Sequence, residues 1–524
     1  MSEKKFLSLF FYITLFCLCF VMANYTAGYD FDLWARLIVG KVFWATGEVL
    51  KYDFLSYTPT HPWYDHEWGS GVFAFYPMLK FFGVNGLIIL QALFLYFTFF
   101  FCVKTIKLRA GGKYSHYILP LLLIMFVYNQ CVCTPVRCQM FSFTFIALII
   151  YLLERARTGK NKTLWIIPFL IIIWNNLHGG VVAGLGIIFL YALGEFLCRR
   201  PFKKYLFVLG ASLPLLVVNP YGLEYLKFLF MANTMIRHDI IEWWTVFHPY
   251  HINKCIPIFI FTAIVILAEG HAFIKLNAGK KIKEIITEFN YTKWILLIVT
   301  FYLGYSHVKL LPICIIVATC YCYQNLCKFI PKNPLFKVWS IVFVYILMVA
   351  CLVVKPSITF ANYQVYPLKE VEFIRINNLT GNLMASFGQG SYVSYKLFPH
   401  NKIYMDGRYE EVYDNEILMD LKVFYEGYYA WGNILKKYDT DVILLPKEAP
   451  IYQELSKYYP EWQKIYEGKL SGVFVKNPKH ISEYKLPSND LKYYEQTMFD
   501  TDMTEEFLKK YIPEFMKSDD YNRN

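Results

Sequence analysis

Apolar runs recur along the first two thirds of the chain and then give way to a different pattern. Phe6–Met22 follows a short basic head, Met1–Lys5, and Gly86–Val103 follows the first long polar stretch. Further runs lie near 117–128, 140–153, 164–173, 181–197, 205–218, 256–268, 294–305, 312–323 and 338–354. With the first two they predict about eleven membrane spans, several of them short enough to be re-entrant or little tilted. No small-residue cleavage pattern follows Phe6–Met22, so it reads as an uncleaved first span and not as a signal peptide. Residues 23–85 form the first large loop. Within it Trp34–Glu48 is amphipathic, with Leu33, Leu37, Ile38 and Val42 on one side and Arg36 and Lys41 on another. It predicts a helix lying in the membrane interface. Gly69–Phe82 is a second such segment, closing at Gly83.

From about residue 362 the period shortens. Tyr366–Ile376, Leu383–Phe387, Lys402–Met405 and Asp441–Leu445 read as short strands, with helices near 414–425 and 449–458 and two more strands near 462–475. This alternation predicts a small α/β domain. The fold class expected is therefore an α-helical polytopic membrane protein with a C-terminal extracytoplasmic α/β domain. Its parts are a transmembrane region, 1–355, the α/β domain, 356–480, and a polar tail, 481–524, partly helical at Thr504–Ile512.

Composition supports the membrane reading. The chain of 524 residues is 56% hydrophobic and 19% aromatic, with 18% charged. A soluble protein of this length carries more charge. The net charge of +12 is unevenly placed: residues 1–355 hold 32 Lys and Arg against 15 Asp and Glu, and residues 356–524 hold 20 against 25. Basic residues cluster in alternate loops, at Lys104–Lys113, Arg155–Lys162, Arg199–Lys204, Lys275–Lys293 and Lys328–Lys337. By the positive-inside rule these loops are cytoplasmic. The N-terminus is then cytoplasmic, and the first loop and the tail lie outside. The excess of Lys and Arg is thus a topology signal and not a nucleic-acid footprint. Most of the 13 cysteines sit inside apolar runs, as buried small hydrophobes do. Cys131-Val132-Cys133 with Cys138 is the one cluster, and its spacing is wrong for the usual zinc pairs.

Candidate chemistry concentrates in the first loop. Tyr29-Asp30-Phe31-Asp32-Leu33-Trp34 and Asp65-His66-Glu67-Trp68 place four carboxylates between two spans. Acids beside a membrane cost free energy unless they face water, a partner or a substrate. Asp30 or Asp32 suits a catalytic base, and capping of the following helix explains one Asp but not the set. Asp65, His66 and Glu67 suit substrate binding. Asn176-Leu177-His178-Gly179-Gly180 puts polar groups at the end of a short span, with His178 as a substrate contact or the stretch as a Gly-packed turn. Asn219-Pro220-Tyr221-Gly222 is a structural turn. Glu242, beside Trp243 and Trp244, is a further candidate for acceptor binding. Arg137 and Lys309 are isolated cations at outward loop edges, suited either to a lipid phosphate or to snorkelling. Met405-Asp406-Gly407-Arg408-Tyr409 reads as a tight turn with Arg408 paired to an acid.

Taken together, these motifs resemble a large family of bacterial multi-pass membrane proteins with the GT-C type of glycosyltransferase architecture. The likeness runs through Asp30–Trp34, Gly40, Asp53 with Ser56-Tyr57-Thr58, Asp65–Trp68, Asn176–Gly179, Asn219–Gly222, Glu242-Trp243, Gly388–Gly390 and Asp406–Arg408. Two positions depart from it. Lys309 stands where the family often has Arg, which keeps the charge but loses the bidentate fork, and Ala35-Arg36 replaces a more usual Trp-His.

The resemblance implies transfer of a sugar from a polyprenyl-phosphate-linked donor to an envelope glycan, lipid or protein acceptor, on the outer face of the bacterial cytoplasmic membrane. Asp30 or Asp32 would be the base, and Arg36, Arg137 and Lys309 the cations for the lipid phosphate. No organic cofactor is implied. A divalent metal ion bridging the acids and the phosphate is compatible with the motif but not required by it. Two rival classes are a flippase of lipid-linked glycans, which needs polar residues through mid-membrane, and a non-catalytic scaffold for envelope assembly.

Overall fold

The computed structural model describes residues 3–25, 30–111, 118–131, 136–235, 237–331, 333–354, 364–478 and 483–518. The chain forms two compact units, Met1–Ala27 with Gly83–Ile358, and Gly28–Phe82 with Thr359–Asn524. The first loop thus groups with the C-terminal third.

The first unit is helical. Among the described residues of the whole chain, six helical segments are long and apolar enough to cross a membrane: Ser8–Tyr25, Trp68–Arg109, Gln139–Arg157, Ile256–Asn277, Val308–Phe329 and Leu335–Val354. The second passes from one unit to the other at Gly83, whose φ of 62° breaks the helix where the sequence placed its boundary. Other apolar runs make shorter helices, such as Ile118–Cys131, Val181–Leu197 and Tyr291–Ser306. The run expected at 164–173 is a 12-residue helix, Ile166–Leu177. At 1.5 Å per residue it covers about 18 Å, short of a bilayer core of about 30 Å. The run at 205–218 is Lys203–Ser212 continued by a 3-10 turn, Leu213–Val217. Many apolar side chains on this unit are exposed, including Ile266, Leu267, Phe230 and Val353. Charged groups at helix ends are paired: buried Glu154 meets Arg109 at 3.0 Å and Tyr321 Oη at 2.9 Å, and buried Glu195 meets Arg200 at 3.2 Å. Cys131 and Cys133 lie outside the residues whose side chains are described, and Cys138 is buried.

The second unit is a five-stranded sheet with helices against it. Its strands are β1 (Gly381–Met384), β2 (Asn401–Ile403), β3 (Val442–Pro446), β4 (Trp462–Glu467) and β5 (Ser471–Lys476), in spatial order β2-β1-β3-β5-β4. β2, β1 and β3 are parallel, and β5 pairs antiparallel with β3 and β4. The helix Phe387–Leu397 connects β1 to β2. The β2 edge is not left bare. Leu55 O accepts from Ile403 N at 2.8 Å, Ile403 O accepts from Tyr57 N at 3.0 Å, and Ser56 bridges Ile403 in parallel. The first loop thereby covers a sheet edge that would otherwise offer open hydrogen-bonding groups.

The segment Tyr366–Ile376, read above as a strand, is the helix Leu368–Ile376. Its V-E-F-I-R-I run imitates a period of two. Leu368, Val371 and Ile374, spaced by three, are all buried, so helical burial wins. The tail ends in the helix Glu505–Phe515, capped by Thr504 Oγ1 on Phe507 N. It stacks Tyr511 and Phe515 around Phe54 of the first loop.

Candidate functional site

The first acid pair sits at the start of the helix Asp32–Thr46, with Asp30 two residues before it. Ten of the helix residues are buried, Leu33–Gly40 without a break, so it is a core helix of the second unit and not the interface helix its amphipathic pattern predicted. Close backbone approach fixes its seat. An ideal Cβ on Gly40 would lie 2.4 Å from Gly71 O, and one on Gly71 would lie 2.2 Å from Arg36 O. Trp34, fully buried, sits among Tyr366, Tyr392, Tyr395 and Phe499, and its Nε1 donates to Tyr366 Oη at 3.0 Å. Aromatic pairs of this kind are worth about 0.5–1.5 kcal/mol each beyond their area burial. Trp34 holds Asp30 and Asp32 in place from a few residues away.

Asp30 is buried, and its Oδ1 accepts from Asp32 N at 2.8 Å. The helix N-cap itself is Phe31, with no side-chain cap. Asp32 is half-buried and its Oδ1 lies beside Gly407, 3.0 Å from where a Cβ would stand. The two acids therefore have different roles. Asp30 shapes the turn, and Asp32 reaches the loop after β2.

The second acid pair is organised around Arg36, which is 2% exposed. Its guanidinium bonds Asp65, donates from Nη2 to Glu411 Oε2 at 3.0 Å, and lies 3.6 Å from Glu67 Oε2. His66 sits between two carboxylates, with Nδ1 2.8 Å from Glu411 Oε1 and Nε2 3.7 Å from Glu67 Oε1. Trp63 Nε1 also donates to Glu411 at 3.0 Å. Burial pushes Asp65 up to about 7, against the pull of Arg36. Burial alone would lower His66, but Glu411 and Glu67 outweigh it and raise the imidazole to about 9. Burial opposes the charge on Glu411 too, yet Arg36 and His66 hold it at about 2. Donor atoms of His66, Glu67 and Glu411 lie within 4.8 Å of one another and could hold a divalent ion in exchange for the His66 proton. Arg36, expected at a lipid phosphate, is thus engaged by three carboxylates.

A second buried cluster lies in the same unit. Arg408 bonds Asp53, reaches Asp406 Oδ1 from Nε at 2.8 Å, and stacks 4.7 Å over Trp63. Burial pushes Asp406 up, whereas on Asp53 the Arg408 charge prevails over burial and lowers it. This is the expected turn with Arg408 paired, extended by a partner from the first loop. Glu411 and Asp53 were not singled out as chemistry in the sequence. The signal available was the Asp-Gly-Arg run followed three residues on by an acid.

In the first unit a cavity of about 240 Å³ brings Arg137, Glu242 and Lys309 together. Arg137 bonds Glu242. Burial works against the Glu242 carboxylate, but Arg137 and Lys309 bring it to about 2. His251 and Lys254, which the sequence did not point to, join the lining, and Phe94, Leu95, Met140, Phe143 and Val308 give it an apolar part beside Gln91, Gln130 and Gln139. Lys309 Nζ stands 5.4 Å from the Trp243 ring. His178 does not line this cavity. Its Nδ1 accepts from Gly180 N at 2.9 Å and meets Ser142 Oγ at 2.7 Å, which in turn accepts from Trp174 Nε1 at 2.7 Å. That chain of donors closes the turn read in the sequence. The Asn219 turn also forms, with Tyr221 N donating to Asn219 Oδ1 at 2.8 Å.

No family model matches this chain, and no curated protein matches it in sequence. Among solved structures it resembles the archaeal oligosaccharyltransferase AglB from Archaeoglobus fulgidus, determined in complex with an inhibitory peptide and a dolichol-phosphate. The TM-score is 0.53 over 88% of this chain and 71% of that one, at 10% sequence identity. At that identity the likeness is one of fold.

Proposed function

We propose that this multi-pass membrane protein is a GT-C-like glycosyltransferase using a polyprenyl-phosphate-linked sugar. The observation that carries the proposal is the cavity in which Arg137, Lys254 and Lys309 stand beside apolar side chains such as Phe94, Leu95 and Phe143. Such a cavity suits an amphiphile with an anionic head and a hydrocarbon tail, and AglB, of similar fold, was solved with a dolichol-phosphate. In this reading Asp32 takes the proton of the acceptor hydroxyl as its oxygen attacks the anomeric carbon. The bond from that carbon to the phosphate oxygen breaks, and the phosphate leaves with the electron pair. Arg137 and Lys309 stabilise the charge that develops on it, with Glu242 positioning Arg137. Asp65, Glu67 and Glu411 hold Arg36, and through it the helix whose first residue is Asp32. A divalent ion at His66, Glu67 and Glu411 would add charge stabilisation when bound. The proposed location is the bacterial cytoplasmic membrane, with the first loop and the C-terminal domain extracytoplasmic and the N-terminus inside.

The test is transfer of radiolabelled sugar from an extracted polyprenyl-phosphate-sugar pool by the purified protein in lipid nanodiscs, with reporter fusions after Leu50 and Lys476 for topology. Labelled product together with external reporters at both sites supports the proposal. A purified, folded protein that transfers from no donor in the pool, or a cytoplasmic reporter at either site, overturns it.

A further inference from the structure

The parallel strands of the second unit lead to Gly388–Gly390 and Asp406–Arg408, stretches that have a place in the motif set but no chemistry assigned to them. From β1 the chain crosses by the Phe387–Leu397 helix to β2 on one side, and it later returns to β3 on the other. In open α/β sheets, such a reversal beside one strand opens a crevice at the carboxyl ends, where ligands bind. Here that end carries Ser386 and the first turn, Phe387–Gly390, of an 11-residue helix, and Asp406-Gly407 after β2. Gly390 is required by close approach, since a Cβ there would lie 2.4 Å from Met405 O. Around Gly407 three groups meet. Its own Cα is half-buried and bare, and a Cβ on it would lie 3.0 Å from Asp32 Oδ1 and 3.6 Å from Ser391 Oγ.

Ser391 is fully buried, yet its Oγ has no hydrogen-bond partner among the described residues, and neither does Gln389 Oε1. Buried hydroxyls are nearly always paired, so an unpaired one aimed at a crevice calls for a partner from outside. The charges at the site select the partner. Asp30 and Asp32 are acidic, and Arg408 is turned onto Asp53 and Asp406. An anion is repelled there. A neutral polyol can donate to Asp32 and Gln389 Oε1 and accept from the Ser391 hydroxyl. The Phe31 ring, 3.7 Å from a Cβ on Gly388, supplies an apolar face for a sugar ring. Building on the proposed function, we infer that Gln389, Ser391 and Gly407, with Asp32, form a subsite for a neutral sugar, which makes the acceptor a glycan hydroxyl.

The experiment is saturation-transfer NMR on the full chain in nanodiscs, with the methyl glycosides of glucose, galactose, mannose and N-acetylglucosamine as probes. At least one glycoside should receive saturation from wild type. Ser391→Ala should weaken its binding at least tenfold, with the melting temperature unchanged or raised, because the Oγ satisfies nothing internally. Gly407→Val, which fills the crevice, should abolish the signal. The inference falls if no glycoside binds, if Ser391→Ala binds as wild type does, if that variant melts lower, or if only a Ser/Thr tripeptide gives the Ser391-dependent signal. Transfer from a lipid-linked donor without glycoside binding overturns this inference and leaves the proposed function standing. Glycoside binding with no transfer from any donor does the opposite.

Discussion

Arg36 and Glu411, 375 residues apart in sequence, meet at 3.0 Å with Arg36 2% exposed. The pair ties the first loop to the short helix Tyr409–Val412 that follows β2. Asp65 and Glu67 complete a buried cluster around the same guanidinium.

Replacing Arg36 by Met leaves Asp65 without its ion-pair partner, and Glu67 and Glu411 with His66 as their remaining cation. Loss of one partner of a buried pair costs about 3–5 kcal/mol. The variant should therefore melt well below wild type by differential scanning fluorimetry. Arg36→Lys should fall between the two, since it restores charge without the fork. Were Arg36 a lipid-phosphate ligand, both variants would instead melt normally and show a raised KM for donor.

Asp32→Asn should express, melt within a degree or two of wild type, and lose transfer by roughly 10² to 10⁴, the usual worth of a general base. Asp30→Asn should have the smaller effect on rate, because Asn can still accept the Asp32 amide. Turnover and melting measured on the same preparations separate the two roles. Full activity of Asp32→Asn would remove the base from this loop.

In the cavity, Lys309→Ala and Arg137→Ala should each raise the KM for a polyprenyl-phosphate donor about tenfold or more, consistent with loss of a charge-assisted contact of roughly 1.5–3 kcal/mol. Arg137→Ala should show the larger effect, since it also strands Glu242. Glu242→Gln should resemble a weakened Arg137. Competition with free polyprenyl phosphate measures these shifts directly.

The pH response of the second unit has a defined sign. His66 is raised from 6.5 to about 9, so the folded state keeps a proton that the unfolded chain releases. That contribution is complete below about 6.5 and is lost as pH rises through 9. Asp65, raised to about 7, also loses its contribution as pH rises. Glu411, lowered to about 2, contributes above 4.5 and loses that contribution as pH falls towards 2. Melting temperature should therefore decline from neutral towards pH 9, and His66→Gln should flatten that limb. A wild-type profile that rises between pH 7 and 9 would contradict the His66 geometry.

Local pattern revealed much of this architecture. Long apolar runs marked the membrane helices, Gly83 marked a break, and the strand-helix alternation after residue 362 marked the sheet domain. The misread segment, Leu368–Ile376, failed because its apolar residues satisfy both periods over so short a span. The acids were legible in the sequence, but not how the fold parts them: Asp65 and Glu67 gather on Arg36, Asp30 accepts from the Asp32 amide, and Asp32 reaches Gly407. Glu411 meets Arg36, and Asp53 meets Arg408, only through the loop's return to the β2 edge, and such long-range pairing leaves no local signature. Trp34 was visible as an aromatic beside two acids, whereas its part as a buried anchor depended on tyrosines more than 300 residues away. The cationic cavity was half visible: Arg137 and Lys309 stood out, while Lys254 and His251 looked like ordinary loop residues.

The cover that Leu55–Tyr57 gives the β2 edge has a consequence for synthesis. At about 5–20 residues per second, on the order of 20–75 s separate the making of Arg36 from that of Glu411. For that interval the loop carries a basic fork and a bare strand segment with nothing to complete them. Once the C-terminal residues emerge, their own edge is exposed until the waiting loop docks. Assembly is thus a late closure between the two ends of the message, and a nonsense or frameshift lesion anywhere past the membrane helices orphans the beginning of the chain as well as its end.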